Sequence, residues 1–264
     1  MVVMRFMTNE VDVLLRAVRD AGDAIIQLQK SGFSVEKKSN HDVVTEADLL
    51  ANAILKNQLL DRFQGDGWLS EESVDDLDRL ARHRVWIVDP IDGTLEFVAG
   101  IPEYAISVAL VENGSPILAC VFNPAANELF HAIKGGGAWQ GNKKLHSSHA
   151  VSSGDFLLLA SRSEYKRGEW DQFKQHYRIQ QVGSIAYKLA LVAAGKADAT
   201  FSLSPKNEWD IAAGVLLVSE AGGIVTNKQR ETILFNRKSS LVDGIVATSA
   251  DKNDAVFTMI ENRK

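Results

Sequence analysis

Cysteine, proline and long apolar runs are scarce in this sequence, and each scarcity excludes something. One cysteine, Cys120, among 264 residues excludes an internal disulfide framework and is typical of a reducing compartment. We therefore expect a cytoplasmic protein in which Cys120 is a buried small apolar residue. No run approaches the roughly 18 consecutive apolar residues of a membrane-spanning helix, so we expect no membrane partner. With five prolines, the chain also has no proline-rich linker to divide it.

Positive charge is in short supply as well. The 29 lysines and arginines are outnumbered by 34 aspartates and glutamates, which gives a formal net charge of −5 and a pI of about 5.7. Surfaces that bind nucleic acid in general are usually basic, so we do not expect nucleic acid as a partner. The segment "EYKRGEWDQFKQHYR" (164–178) mixes both signs, and we interpret it as the solvated face of a helix.

The first half of the chain has the pattern of helices followed by an antiparallel sheet. Residues 9–30 and about 46–63 place apolar side chains at helical spacing. The run "VWIVD" (85–89) predicts a buried strand that ends at a functional loop. Residues 105–133 contain three β-rich runs separated by the turn sequences "ENGS" and "NPAAN", which predicts an antiparallel meander.

In the second half, predicted strands and helices alternate. The segments "DFLLLAS", "ATFSL" and "GIVATS" predict strands, and "SIAYKLALVAAGKA", "EWDIAAGVLLVSEAGG" and "DKNDAVFTMIENRK" predict helices. These patterns predict a layered α+β and α/β structure. We expect residues 1–264 to form a single domain, with an N-terminal α+β lobe at about 1–145 and a C-terminal α/β lobe at about 146–264.

The stretch "DPIDGT" (89–94) is the first candidate site. A phosphatase of the haloacid-dehalogenase type, which forms an aspartyl-phosphate, needs D-x-D-G-T, but the residue two before Asp92 is Pro90, so we exclude covalent catalysis here. Asp89 and Asp92 could instead bind a hard cation such as Mg²⁺ together with the carbonyl of Ile91. An ordinary turn with a capping aspartate stays an alternative.

Three further acidic residues lie at loops or helix starts. Glu71 follows a short apolar run, Asp48 ends a capping-box pattern, and Asp210 lies in the first turn of an apolar helix. Each has a simple capping explanation, and spacing alone does not show that they converge. If they converged with Asp89 and Asp92, unit charges about 4 Å apart would cost about 4 kcal/mol per pair at an effective dielectric near 20, and divalent cations would offset this repulsion.

These residues resemble the motifs of the inositol monophosphatase superfamily, the Mg²⁺-dependent, lithium-sensitive phosphomonoesterases. "SEES", "WIVDPIDGT" and "WDIAAGVLLVSEAGG" are similar to its three signature regions, and the resemblance covers residues 10 to 250 approximately. It implies an inositol-monophosphatase-like αβαβα sandwich, a small phosphorylated substrate and a homodimer. In such a site, paired metal ions activate water and stabilise the leaving oxygen, so no protein nucleophile is needed.

The resemblance also implies a set of ligands for two to three Mg²⁺ ions. By position, the first ion would be bound by Glu71, Asp89 and the Ile91 carbonyl, the second by Asp89, Asp92 and Asp210, and a weaker third by Glu71 with waters. Thr94, hydrogen-bonded to Asp48, would position and deprotonate the attacking water. Lys37 would lie near that water, and the backbone amides of Gly93 and Thr94 would hold the phosphate.

The substrate is predicted from positions where the chain departs from the inositol enzymes. Glu96 stands where those enzymes carry Asn, and Leu203 stands where they place a glutamate against ring hydroxyls. "DGTLEF", "ASRSE" (160–164) and "GSIAYKL" (183–189) resemble the 3'(2'),5'-bisphosphate nucleotidases instead, and Arg162 and Lys188 could neutralise a second phosphate. The predicted substrate-binding residues are Gly93, Thr94, Glu96, Arg162, Gly183, Ser184, Lys188 and Asp210.

These departures favour hydrolysis of 3'-phosphoadenosine 5'-phosphate to AMP and phosphate. The segment "EFVAGIPEYAISVAL" (96–110) resembles the inositol enzymes, so an inositol-1-monophosphatase or a broad sugar-phosphate phosphatase is the alternative. An alternative of another class is a non-catalytic partner of RNA or transcription machinery, a role that some members of the superfamily have.

Overall fold

The computed structural model describes residues 8–39, 42–147 and 156–262. The helices are α1 (Thr8–Ser31), α2 (Glu46–Arg62), α3 (Thr94–Val98), α4 (Arg162–Lys166), α5 (Ile185–Ala193), α6 (Glu208–Glu220) and α7 (Asn253–Glu261), with 3₁₀ turns at Asp78–Ala81 and Ala250–Lys252. The first nine strands are β1 (Val35–Ser39), β2 (Asp42–Thr45), β3 (Gly67–Ser70), β4 (Arg84–Asp92), β5 (Ala105–Glu112), β6 (Ser115–Asn123), β7 (Glu128–Ile133), β8 (Gly137–Gln140) and β9 (Lys143–Lys144). The remaining strands are β10 (Leu157–Ala160), β11 (Arg178–Gln181), β12 (Ala199–Ser202), β13 (Lys206–Asn207), β14 (Ile224–Thr226), β15 (Leu241–Val242) and β16 (Ile245–Thr248).

The larger sheet has seven strands in the order β3-β4-β5-β6-β7-β8-β9. Strand β3 runs parallel to β4, and the later neighbours pair antiparallel, which confirms the meander predicted over residues 105–133. Strand β4 continues past Pro90, and its pairing with β5 is irregular between Asp89 and Asp92. Proline has no N–H for the ladder, so an interruption at this point is expected.

The smaller sheet has five strands in the order β11-β10-β12-β16-β14. Strand β10 is parallel to both β11 and β12, while β16 is antiparallel to β12 and β14. Helices α4, α5 and α6 interrupt its strands along the chain. The alternation predicted for the second half is therefore confirmed.

Helices cover both faces of the larger sheet. Helices α1 and α2 bury Leu14 and Leu55 in one cluster with Trp86 of β4. On the opposite face, α5 contributes Leu189 to a second cluster that also contains Ile87 of β4. Alternate side chains of β4 therefore face different helical layers, as the two-residue period of a strand requires.

Helices α5 and α6 are also the layer between the two sheets. Leu217 of α6 belongs to the same cluster as Ala247 of β16. On the far side of the smaller sheet, Phe257 of α7 packs in a third cluster with Phe201 of β12. The order of layers is thus α, β, α, β, α, which confirms the predicted sandwich.

The predicted division into two lobes stays a prediction. Residue 145 lies in sequence between the last strand of the larger sheet and the first strand of the smaller one. The α5 and α6 layer packs against both sheets, so the halves share one apolar cluster.

The interpretation of residues 164–178 as a solvated helix face is wrong. Helix α4 ends at Lys166, and turns follow as far as the start of β11. Trp170 and Phe173 from these turns are buried, and Trp170 stacks on Phe201 with ring centroids 4.3 Å apart. The aromatic residues within this charged segment indicated that part of it is buried. Burial of two large rings contributes more free energy than solvation of the segment as a whole.

Two other predictions concern burial and membrane association. Cys120 is fully buried in β6, as predicted, and burial raises the pKa of its thiol. In the described part of the chain, none of the helices combines the length and apolar character needed to cross a membrane.

Candidate active site

Most of the predicted site residues line a cavity of about 360 Å³, to which both halves of the chain contribute. Its floor includes the end of β4, and its walls include the first turns of α3, α5 and α6. The predicted residues that line it are Glu71, Asp89, Ile91, Asp92, Gly93, Thr94, Glu96, Gly183, Ser184, Lys188 and Asp210. Residues far apart in the chain are therefore brought together here, which the spacing of the motifs could not establish.

The end of β4 supplies the innermost carboxylate. Asp89 is 1 % exposed, and its Oδ1 accepts a hydrogen bond from the N–H of Ile91 at 3.0 Å. The turn at Pro90 thus folds back on Asp89, and the carbonyl of Ile91 lies 3.1 Å from the Thr94 hydroxyl. This arrangement agrees with the predicted turn that presents both side-chain and backbone oxygens to one cavity.

Asp92 connects β4 with helix α5. Its Oδ2 accepts hydrogen bonds from the Ser184 hydroxyl and from the N–H of Ala186, both at 2.6 Å. These bonds and the positive end of the helix stabilise the carboxylate, and they oppose the burial that raises its pKa. Ser184 itself has a φ of 54° and also accepts a bond from the N–H of Tyr187, so it caps α5.

Asp48 is outside the described lining of the cavity but is paired with Thr94, which lines it. The Thr94 hydroxyl lies 3.2 Å from Oδ1 of Asp48, which is the hydrogen bond that the resemblance implied. The other oxygen, Oδ2, accepts bonds from the N–H of Thr45 at 2.7 Å and from its hydroxyl at 2.5 Å. Thr45 and Asp48 form the predicted capping box of α2, so one carboxylate serves the helix and faces Thr94.

Glu71 and Asp210 come from opposite halves of the chain. Glu71 follows β3, and its N–H donates to the carbonyl of Val88 at 3.2 Å, which fixes its backbone beside β4. Asp210 is in the first turn of α6, where its Oδ2 accepts a bond from the N–H of Asn207 at 3.0 Å. The sequence had suggested a helix-capping role for each of these residues. Asp210 does cap α6, whereas Glu71 lies in a turn and caps no helix.

Burial and mutual repulsion both raise the pKa values of carboxylates in the cavity. Burial raises the pKa of Asp89 well above its ordinary value, and the charges of Glu71, Asp92 and Asp210 raise it further. The pKa of Asp210 is raised well above normal by the same two causes, burial first and then the neighbouring carboxylates. Such a group of carboxylates requires protons or cations for its stability.

The chemistry of the donors fits a hard divalent ion, since carboxylates, a carbonyl and a hydroxyl are all oxygen ligands. As the side chains stand, no three His, Cys, Asp or Glu groups in residues 8–39, 42–147 and 156–262 are arranged to hold a metal ion. One oxygen of each of Asp48, Asp92 and Asp210 is held instead by its own local hydrogen bonds. The donors match magnesium in kind, and these hydrogen bonds fix the orientation of the three carboxylates.

Several residues of the cavity were missed from the sequence. Glu164 is 3 % exposed and accepts hydrogen bonds from the Ser202 hydroxyl at 2.6 Å and from Nζ of Lys206 at 3.3 Å. The further lining residues are Val43, Leu95, Ser161, Ser163, Ile185, Ser202 and Asn207. Glu164 ends the "ASRSE" segment and Lys206 precedes "NEWD", so their nearness to motif residues was the available signal.

Lys188 lies at the same end of the cavity. It is 3 % exposed, and its Nζ donates to the carbonyl of Val182 at 3.3 Å. Burial lowers its pKa to about 8, although Asp92 and Glu164 favour the charged form. Glu96 is close by, and a Cβ built on Gly183 would lie 2.4 Å from its Cγ, so this contact requires glycine.

Three residues that the sequence analysis singled out, Arg162, Lys37 and Leu203, are not among the described residues that line the cavity. Arg162 donates to Glu103 from Nε at 2.9 Å and from a terminal nitrogen at 2.7 Å, and it is not among the described lining residues. Lys37 is exposed on β1, also outside that lining. Leu203 packs against the apolar cluster of α7. The predicted roles of Arg162 and Lys37 stay predictions.

The layered fold and the carboxylate-lined cavity define a class, that of the layered αβαβα phosphatases. The model of the Inositol monophosphatase family matches residues 7–261. A protein named Nus factor SuhB from Xylella fastidiosa is 36% identical over 81% of this chain and 80% of its own length, and an inositol-1-monophosphatase from Rhizobium meliloti is 35% identical over 83% and 85%. The solved structure of an IMPase from Thermotoga maritima superposes with a TM-score of 0.85 at 30% identity, over 96% of this chain and 97% of that one.

The chain belongs to the inositol monophosphatase family. This family is one of magnesium-dependent phosphatases, so the predicted family is confirmed, and membership supports the predicted class of reaction.

Proposed function

We propose that the protein hydrolyses phosphomonoesters with magnesium held by Glu71, Asp89, Asp92, Asp210 and the carbonyl of Ile91. The observation that supports this assignment is that these oxygen donors line one cavity, in which burial first and then the neighbouring carboxylates raise the pKa values of Asp89 and Asp210. Bound magnesium would supply positive charge that offsets this repulsion and polarises a phosphoryl oxygen.

Thr94 and Asp48 would handle the proton of the attacking water. The single hydroxyl proton of Thr94 has two acceptors within reach, Oδ1 of Asp48 at 3.2 Å and the Ile91 carbonyl at 3.1 Å. In the reaction Thr94 would pass this proton to Asp48 and take one from the attacking water, so that the carboxyl of Asp48 ends protonated. Thr45 holds the other carboxylate oxygen, which keeps Oδ1 of Asp48 directed at Thr94 over 3.2 Å. Fixed in this way, the pair can act as an oriented base without reorganising during the reaction.

We further propose 3'-phosphoadenosine 5'-phosphate as the substrate, with AMP and phosphate as products. The observation that supports it is the presence of two lysines in the cavity, Lys188 and Lys206, of which Lys206 is already paired with Glu164 at 3.3 Å. Their ammonium groups would bind a second phosphate while the first lies against the carboxylate cluster. Glu96, the other departure from the inositol pattern, lines the same cavity.

Inositol 1-phosphate, or a sugar phosphate, is the second candidate substrate. Arg162 is already paired with Glu103, so it offers less charge to a second phosphate than the sequence suggested. Among the described residues that line the cavity there is also no aromatic side chain on which an adenine ring would stack, while several hydroxyl and amide groups could bind a polyol. The relative from Rhizobium meliloti is named for the inositol activity.

A non-catalytic role with RNA or transcription machinery is the alternative of another class. A relative carries the name Nus factor SuhB, which motivates the test. All four carboxylates proposed as metal ligands line the cavity, which supports catalysis. Magnesium-dependent phosphate release by the purified protein would decide between the two roles.

The decisive experiment compares kcat/KM for 3'-phosphoadenosine 5'-phosphate and inositol 1-phosphate in the wild type and in Lys188→Met. We expect the nucleotide to be preferred, and its KM to rise about tenfold in the variant while the KM for inositol 1-phosphate changes little. Lys252→Met, which removes a lysine from the 3₁₀ turn before α7, is the control. A more than tenfold preference for inositol 1-phosphate would overturn the nucleotide assignment, and absence of any magnesium-dependent hydrolysis would overturn the catalytic one.

A further inference from the structure

Outside the cavity, a hydrogen-bond network with two buried charged side chains, Arg79 and Glu208, connects the segment after Glu71 with the start of α6. Its centre is a pair of loop residues, Asn236 and Arg237, here called the 236–237 bridge. Arg79 contacts this bridge from the 3₁₀ turn Asp78–Ala81, which lies between β3 and β4, and Glu208 contacts it from α6. The proposed reaction uses neither side chain, and neither lines the cavity within the part of the chain that is described.

Arg79 is a buried arginine whose guanidinium donates four hydrogen bonds. It forms a two-pronged ion pair with Asp75, at 3.0 Å and 2.8 Å, which lowers the pKa of that aspartate. The same guanidinium donates to Oδ1 of Asn236 at 2.7 Å and to the carbonyl of Arg237 at 3.0 Å. Because a guanidinium is planar and rigid, these bonds fix the bridge relative to the segment that begins at Glu71.

Glu208 holds the bridge from the opposite side. Its side chain is fully buried, and its two oxygens accept the N–H groups of Asn236 at 2.6 Å and Arg237 at 3.1 Å. Burial raises its pKa, and these backbone bonds together with the charges of Arg237 and Arg79 oppose that rise. The N–H of Glu208 also donates to the carbonyl of Ser240 at 2.8 Å, so the first residue of α6 is bound to the loop at both backbone and side chain.

The consequence concerns two proposed metal ligands that come from different halves of the chain. Asp210 lies two residues after Glu208 in the same helical turn, and Glu71 lies four residues before Asp75. Displacement of the bridge would therefore change the separation of Glu71 and Asp210. Groups behind metal ligands commonly set metal affinity, and their loss typically weakens it about 10- to 100-fold.

We propose that Glu208 is a positioning residue for Asp210, and that Arg79 and the 236–237 bridge set the position of Asp210 relative to Glu71 and thereby the magnesium affinity. This inference rests on the proposed function, because it takes the cavity carboxylates as the ligands of magnesium.

Glu220 provides a matched control at the other end of α6. Like Glu208, it accepts two backbone N–H groups of a loop, those of Gly135 at 2.8 Å and Gly137 at 2.9 Å. It is ten residues after Asp210, so its loop does not contact the cavity wall formed by the first turn. Glutamine in place of either glutamate keeps the shape and replaces one acceptor oxygen by a donor.

The experiment titrates magnesium chloride alone into the full-length wild type, Glu208→Gln and Glu220→Gln by calorimetry, with urea unfolding of each in parallel. We expect both variants to lose stability, but the magnesium Kd to rise about tenfold or more only in Glu208→Gln. Equal Kd values for that variant and the wild type would overturn the inference, because a merely structural glutamate changes unfolding alone.

A second variant keeps the test decisive if Glu208→Gln does not fold. Arg79→Lys preserves a positive charge beside Asp75 but cannot reach Asp75, Asn236 and Arg237 together. A weaker magnesium Kd in this variant supports the proposal, and an unchanged Kd contradicts it. Phosphate release by the wild type, measured separately, distinguishes failure of this inference from failure of the proposed function.

Discussion

Ser184 donates its hydroxyl hydrogen to Oδ2 of Asp92 over 2.6 Å, and so joins the first turn of α5 to the end of β4. The same serine oxygen accepts the N–H of Tyr187 at 2.9 Å, so a single side chain caps a helix and orients a cavity carboxylate. Asp92 also accepts the N–H of Ala186 at 2.6 Å. The smaller-sheet half of the molecule is thereby attached to the strand that carries the site.

Ser184→Ala should lower the free energy of unfolding by about 1–2 kcal/mol, because a helix cap and a bond to a charged group are lost together. The positive φ is equally strained for serine and alanine, so it does not contribute to the difference. Urea denaturation of both proteins measures the change. Ser161→Ala removes the weaker cap of α4, a 3.5 Å contact, and should cost less. Equal losses in the two variants would contradict the importance of the Ser184 to Asp92 bond.

The contrast between these contacts and the sequence patterns shows what local information can establish. Helical and strand periodicity predicted the five longer helices, the meander and the alternation in the second half, because burial of one face imposes that period on the residues. The pairing of Asp92 with Ser184 joins residues 92 positions apart, and no local rule specifies it. The family resemblance placed both at the site but did not predict their bond.

The cavity itself shows a second limit of sequence reasoning. Arg162 looked like a free cation for a second phosphate, but Glu103, an ordinary acidic residue in sequence terms, pairs with it at 2.7 Å. Conversely, Lys206 was not singled out and lies in the cavity beside Glu164. Whether a charged side chain is available to a ligand depends on its ion-pair partners in the fold. These partners are set by tertiary contacts, which the sequence does not reveal.

Asp89→Asn should abolish magnesium-dependent phosphate release while it raises the stability of the metal-free protein. Asparagine can still accept the bond from the N–H of Ile91, but it removes a charge from a group of carboxylates that repel one another. We expect unfolding of the metal-free variant to need about 1 kcal/mol or more of additional free energy, and its melting temperature to rise by about 2–4 °C per kcal/mol. Calorimetric melting with and without magnesium chloride measures both effects.

The control for that substitution is Asp198→Asn, another largely buried aspartate, whose Oδ2 accepts the N–H of Leu157 at 2.7 Å. It lies outside the described cavity lining, so it should leave phosphate release unchanged and bring no gain in stability. Retained phosphate release in Asp89→Asn would remove the basis for the proposed metal ligands.

The binding of a second phosphate should weaken as pH rises through about 8. Burial lowers the pKa of Lys188 to about 8, so its side chain is mostly a cation below that pH and mostly neutral above it. A substrate phosphate has a second pKa of about 6 and stays ionised over this range, so the lysine determines the change. We expect the KM for 3'-phosphoadenosine 5'-phosphate to increase about tenfold between roughly pH 7 and pH 9.

Two comparisons isolate the contribution of Lys188. In Lys188→Met the rise in KM across this range should be absent, because no ammonium is left to titrate. For inositol 1-phosphate, which has no second phosphate, KM should be nearly constant in the wild type. An identical pH profile for both substrates would show that another group is responsible.

Gly183→Ala should impair catalysis, because the added methyl has no room at the cavity. A Cβ at this position would lie 2.4 Å from Cγ of Glu96 and 2.6 Å from the carbonyl oxygen of Glu103, so the cavity wall has to move. Overpacking of this kind typically costs about 1–3 kcal/mol of stability. We also expect kcat/KM to fall about tenfold, since a displacement of about 1 Å at a reacting site is enough to disturb alignment.

Gly214→Ala is the matched substitution away from the cavity. There the added Cβ would lie 2.4 Å from Cδ1 of Leu189, in the contact between α5 and α6. The clash is as close as at Gly183, but it involves apolar side chains within the core, and alanine favours the helix by about 1 kcal/mol over glycine. We therefore expect a comparable or smaller loss of stability with kcat/KM nearly unchanged. If both substitutions reduced kcat/KM in proportion to their loss of stability, the close fit of Gly183 against Glu96 would matter for folding alone, and the assignment of Glu96 to the substrate would lose its support.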